Sequence, residues 1–171
     1  MRLAVEARGA RHTLVAVNDF VLHREAVWRN RANSVVCAEL SEEHLPRRFE
    51  QLFAKRIAED LFEVCCIPFF LNDLALGDVV ATAPMGDLDH VVTKVVEPSG
   101  RYVFRVRFNE ASRPRGEIAE ELRALGSLIE WSSRDLLALD AIDQEHAQRV
   151  VEFLAAREKT GQLTYDTGHS R

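Results

Sequence analysis

The stretch "RYVFRVRFNEASRPRGEIAEELRALG", residues 101–126, changes period in the middle and so decides the fold. Its first eight residues alternate: Tyr102, Phe104, Val106 and Phe108 fall on one face, and Arg101, Val103, Arg105 and Arg107 on the other. A period of two is the signature of a β-strand with unlike faces. Ser112 is placed to cap a helix, Pro114 suits its first turn and Gly126 its end. Between them Ile118, Leu122 and Leu125 recur at i, i+4 and i+7, which is one apolar helix face.

Downstream, "SLIEW" and "LLALDAI" read as two strands separated by Ser132 to Asp135. "DQEHAQRVVEFLAAREKTG" reads as a second amphipathic helix, capped by Asp143, buried through Ala147, Val150, Val151 and Leu154, and ended by Gly161. "QLTYD" is a last strand. The order β-α-β-β-α-β predicts a ferredoxin-like half over residues 101–171.

Upstream the pattern is all strand. "TLVAVNDFVLH" (13–23) predicts a hairpin turning at Asn18-Asp19, and "NSVVCAEL" (33–40) a strand. Strands at 61–67, 78–83 and 90–97 are joined by short segments rich in turn residues. Residues 32–100 thus form an antiparallel meander or small barrel, and residues 1–31 an N-terminal hairpin extension. "FEQLFAKRIAED" (49–60) has near-helical spacing at Phe49, Leu52, Phe53 and Ile57. The fold class expected is α+β.

Cys65 and Cys66 are neighbours in a strand, so their thiols leave on opposite faces and cannot share one metal ion. With Cys37 they make three, too few for a disulfide framework, and reduced thiols packed like small hydrophobes are the simpler reading. Pro68 cannot donate to a ladder, so the strand ends there. Phe69 and Phe70 then plug a corner or form an apolar lip for a ligand, before Asn72-Asp73 reverses the chain.

"VWRNRANSVVCAEL" (27–40), "FEQLFAKRIAEDLFEVCCIPFF" (49–70), "ALGDVV" (75–80) and "VVEPSG" (95–100) resemble a bacterial family of unknown function, numbered 4265. The resemblance runs from about Val27 to Tyr165, with Phe53 where the family often has tryptophan. It implies an extended rather than helical 49–60 segment, the strand order above and a bacterial cytosolic protein. It brings no catalytic residue.

The chain has no nucleophile elbow, phosphate-binding loop, dinucleotide fingerprint, paired-histidine zinc motif or calcium loop. Glu42-Glu43 and Glu120-Glu121 read as solvated pairs, and no cofactor or metal is expected. The start of the chain carries arginines where a signal peptide needs an apolar stretch, and no apolar run could span a bilayer, so a cytoplasmic location is expected. Net charge is −5, unevenly spread: residues 1–31 sum to +3 and residues 117–166 to −6. The acidic C-terminal half argues against nucleic acid as the partner. The arginines of 101–107 are expected on a solvent face or matched within the molecule to the acidic helices.

The function expected is therefore non-catalytic: a protein-interaction protein, in its sharpest form an immunity protein that neutralises a bacterial toxin. Two surfaces are candidates. One is acidic, with Asp87 and Asp89 in a turn and Glu117, Glu120 and Glu121 on the first helix, suited to a basic toxin domain. The other is Trp28, Arg29 and Arg31. The alternatives are a small-molecule-binding regulatory domain, with Phe69-Phe70 or an open sheet face as the site, and an enzyme with an unrecognised site.

Overall fold

The computed structural model describes residues 19–40, 47–109 and 115–168. Six strands come first: β1 (Asp19–Leu22), β2 (Ser34–Glu39), β3 (Arg48–Ala58), β4 (Leu61–Val64), β5 (Val79–Met85) and β6 (Leu88–Glu97). They hydrogen-bond in the order β1-β3-β2-β6-β5-β4, and β3 also pairs with β4. That second pairing closes a five-stranded barrel of β2 to β6. β3 can serve three neighbours because it is eleven residues long. Its first residues pair in parallel with β1, its middle antiparallel with β2, and its end antiparallel with β4 after Ala54. The segment 49–60 is extended, as the resemblance implies; Leu52 and Ala54 point into the barrel with Val36, Phe62, Val64 and Val80.

The remaining elements are β7 (Tyr102–Phe108), α1 (Arg115–Ala124), β8 (Ile129–Trp131), β9 (Leu136–Ala141), α2 (Gln144–Lys159) and β10 (Leu163–Thr167). Their sheet runs β10-β7-β9-β8, with every pair antiparallel. The fold is mixed α+β. α1 buries Ile118 and Leu122 and stops at Gly126, whose φ of 99° suits glycine. α2 starts where the Asp143 side chain accepts from the His146 N–H at 2.8 Å. Both helices cover the Phe104, Val106 and Leu139 face of the sheet.

Two expectations meet a different outcome. Asp19 is the first residue of β1 rather than a turn residue, and the described part of the 13–23 segment pairs with β3. The rest of that predicted hairpin, with Ser112, Pro114 and Glu42-Glu43, lies outside the described residues. As expected, the chain reverses at Asn72-Asp73, with Asp73 at φ 61°, and Asn72 Oδ1 accepts from Arg105 at 2.6 Å.

The largest correction concerns the arginine face of β7. Only Arg107 keeps the expected solvent exposure; Arg101 is half-buried and Arg105 buried, and neither of these two is matched to the helices. Val103 is 1% exposed and Arg105 7%, because this face, with Ala138 of β9, packs on Ile67, Phe69 and Leu76 of the barrel half. The guanidinium groups find carboxylates nearby. Arg101 Nε donates to Asp140 Oδ2 at 2.6 Å and Arg105 Nε lies 2.9 Å from Asp166 Oδ1. A sheet buried on both faces needs such partners for any charge it carries inward.

Candidate functional site

The seam between barrel and sheet holds three buried titratable side chains in mutual contact. Glu50 enters it from β3, on the same inward phase as Leu52 and Ala54. Glu130 enters from β8: Ile129 and Trp131 face the helices, so the residue between them faces the barrel. His23 follows β1, and its ring lies between the two carboxylates. Nδ1 is 2.6 Å from Glu130 Oε2 and Nε2 is 2.9 Å from Glu50 Oε1. All three residues are buried.

Each carboxylate has further duties. Glu130 Oε1 accepts from the Val27 N–H at 3.0 Å and the Ile67 N–H at 2.8 Å. Glu50 Oε1 accepts from the Phe69 N–H at 2.6 Å and Oε2 from the Phe70 N–H at 2.9 Å. These donors belong to the turn after β1 and to the corner around Pro68, whose amides have no ladder partner. The two glutamates therefore stitch four segments together.

Both ring nitrogens face carboxylate oxygen, and both contacts are hydrogen bonds only if the ring carries both protons. Burial by itself pushes the ring toward neutrality. The Cys66 thiol, Glu130 and Glu50 outweigh it, and the His23 pKa is pushed up to about 12. The ring also stacks on Phe69, with centroids 4.1 Å apart and planes 10° apart, so the positive charge lies over an aromatic face. An imidazolium held this firmly is no general base at neutral pH, when efficient bases have pKa values near the working pH.

The thiols offer no alternative nucleophile. Cys37, Cys65 and Cys66 are free and buried. Burial raises all three pKa values, that of Cys65 to about 11, where a reactive cysteine needs a lowered one. Among the described residues no group of three or more His, Cys, Asp or Glu side chains is placed to hold a metal ion. His90, one residue after Asp89, packs on Phe62 and hydrogen-bonds Arg56 and Thr82.

The structure separates the acidic surface residues. Asp87 and Asp89 are exposed on the β5–β6 hairpin of the barrel, whereas Glu117, Glu120 and Glu121 are exposed on α1. Glu120 pairs with Arg123, and Glu121 with Arg157 of α2. Trp28, Arg29 and Arg31, by contrast, form one surface. The Trp28 ring lies between Arg31 at 4.1 Å and Arg101 at 5.3 Å, and Arg29 covers Phe53 at 4.5 Å. Arg31 also pairs with Glu63 at 2.7 Å. Val35 of β2 sits directly across from Phe53 and is 40% exposed, while Ile57 farther along β3 is 54% exposed.

Two open clefts border the turn after β1 and the β8–β9 turn. One, of about 460 Å³, is lined by four arginines, Arg24, Arg115, Arg123 and Arg134, with Trp131. A second, of about 520 Å³, shares Arg24 with it and contains Phe70. Phe69 is buried under the His23 ring, so only the second phenylalanine of the predicted lip reaches a cleft.

Sequence reasoning missed His23, Glu50 and Glu130. One signal was present: in "FEQLFAK" a glutamate falls in phase with inward Leu52 and Ala54. Its partners stand 27 and 80 residues away, which no local pattern connects.

No curated protein matches the chain. Its fold is similar to that in a crystal structure of a hypothetical protein from Neisseria gonorrhoeae, with a TM-score of 0.66 at 17% identity, over 78% of this chain and 92% of that one. Among the described residues no helix is long and apolar enough to cross a membrane. A family model described as a domain of unknown function, DUF4265, matches residues 50–165, and the chain belongs to that family.

Proposed function

We propose that this is a non-catalytic, cytoplasmic protein-interaction protein. The observation that carries the reading is the face built by Trp28, Arg29, Phe53 and Val35, where aromatic and arginine side chains border exposed aliphatic ones. That composition is enriched where protein interfaces concentrate their binding energy. The strongest acid–base group in the chain is meanwhile buried and fully engaged at the seam, in a structural role. We also read the β7–β10 half as a ferredoxin-like unit; the all-antiparallel order β10-β7-β9-β8 supports this.

In its sharpest form the protein is an immunity protein that covers a bacterial toxin. The Trp28–Arg29 face makes the close contact, and the acidic hairpin and α1 surfaces steer a basic toxin domain toward it. A tagged chain exposed to native lysate, and to the products of neighbouring genes, tests this. Capture of a partner that Arg29→Glu releases supports the reading. Failure to retain any protein, together with no protection of cells expressing an adjacent toxin, overturns it. A second reading, a small-molecule-binding domain, is favoured by the arginine-lined cleft.

A further inference from the structure

The cleft between the turn after β1, the start of α1 and the β8–β9 turn has a charge content that folding does not require. Its acids are Glu25 and Glu130 against four arginines. Glu130 is turned inward, with both oxygens bonded and the His23 imidazolium shared between it and Glu50. Arg115 and Arg123 each hold one exposed carboxylate, Asp135 and Glu120. Among the described residues, the guanidinium groups of Arg24 and Arg134 make no ion pair, and the buried Arg115 Nε has no hydrogen-bond partner. Like charges gathered in one concave place repel one another, and such an arrangement suits a ligand of opposite sign.

The donors narrow the ligand. Guanidinium forks match the oxygens of carboxylate and phosphate, but at least two unpaired arginines and an unused Nε exceed what a single carboxylate can neutralise. A phosphate ester carries about −1.5 to −2 at neutral pH and offers three acceptor oxygens. Ser132 and Ser133 add hydroxyl groups to the same wall. Trp131 supplies an aromatic surface beside them, its own ring packed on Phe108 at 5.6 Å and so held in place. The volume of about 460 Å³ falls in the range of small-ligand sites.

We propose that this cleft binds a small phosphorylated ligand of the nucleoside phosphate class, with Arg24, Arg115 and Arg134 on the phosphate and Trp131 against the planar base. The site is separate from the Trp28–Arg29 face, so it stands or falls independently of the protein-partner reading.

Amide and indole NMR spectra of the full chain, titrated at constant ionic strength with ADP, AMP, adenosine and pyrophosphate, test it. ADP is expected to shift the Ser132 and Ser133 amides and the Trp131 indole, to bind more tightly than adenosine, and to be displaced by pyrophosphate. Arg24→Ala or Arg134→Ala is expected to weaken ADP by about tenfold with little change in melting temperature, since each removes a charge-assisted contact. Arg29→Glu is expected to leave ADP binding unchanged. If one arginine variant fails to fold, the other and the pyrophosphate competition in the unaltered chain still decide the matter. The proposal is overturned if millimolar ADP and pyrophosphate leave those resonances in place, or if both arginine variants bind ADP as the parent does. It is equally overturned if single-stranded oligonucleotides displace ADP with affinity rising with length, which would make the cleft a nucleic-acid surface.

Discussion

Glu50→Ala probes the seam most severely. The carboxylate accepts from His23 Nε2, Phe69 N–H and Phe70 N–H at 2.9, 2.6 and 2.9 Å, and all of this is buried or nearly so. Alanine would orphan two backbone donors, each at about 1–3 kcal/mol. It would also leave the imidazolium with one carboxylate, and removing one partner of a buried pair costs about 3–5 kcal/mol. These terms overlap, so the expected loss is about 4–6 kcal/mol rather than their total. For a chain of this length that lowers the melting temperature by about 10–20 °C. Equilibrium urea unfolding followed by circular dichroism would measure it, with Glu50→Gln as control. The amide keeps an acceptor oxygen for the corner and is expected to recover a good part of the loss. A loss below about 1 kcal/mol for Glu50→Ala would refute the reasoning, since no buried acceptor of three hydrogen bonds is removed so cheaply.

Stability should depend on pH in a direction set by His23. The folded ring holds its proton up to about 12, whereas the unfolded ring releases it near 6.5. The stabilisation is therefore complete below 6.5 and declines as pH rises above it. Urea midpoints between pH 6.5 and 7.5 should fall in the parent and not in His23→Gln. In that window unfolded thiols, at about 8.5, keep most of their protons, as buried Cys65 does up to about 11. His146, whose pKa burial lowers, acts in the opposite direction and alike in both chains. Gly77→Ala should cost about 1–3 kcal/mol in thermal unfolding, because φ is 82° and the new Cβ would stand 3.3 Å from Ser99 and 3.4 Å from the Trp28 ring. Phe69→Ala should cost about 3–5 kcal/mol by the same assay, since the ring is 1% exposed between barrel, sheet and His23. Reversing Asp87, Asp89 and Glu120 to lysine should slow partner association in stopped-flow or surface-plasmon measurements and leave the melting temperature nearly unchanged.

What could be read from residues followed the range of the forces involved. Alternation in "YVFRVRF", the apolar stripes of α1 and α2, the Asp143 cap and the glycine stops act within a few positions, and the corresponding elements form. Closure of the barrel was half legible. It depends on β3 being long enough to turn from β2 to β4, and the same residues carry a helix-like spacing that tertiary pairing overrides. The second face of β7 was misjudged because arginine suggests solvent. Here Asp140, Asn72 and Asp166 satisfy it, and all three come from segments more than 30 residues away. The seam was illegible for the same reason. A histidine in "VLHRE" and a glutamate in "SLIEW" acquire meaning only when the barrel is laid on the sheet.

His23 stands as a charged strut between Glu50 and Glu130, and the proposed function leaves recognition to the surfaces. Two-bond proton–nitrogen NMR of the histidine rings at pH 8.5 reads this directly. The account predicts two protonated nitrogens on His23 with exchange-protected N–H signals. A neutral ring at that pH, titrating near 6.5 like an exposed histidine, would contradict it.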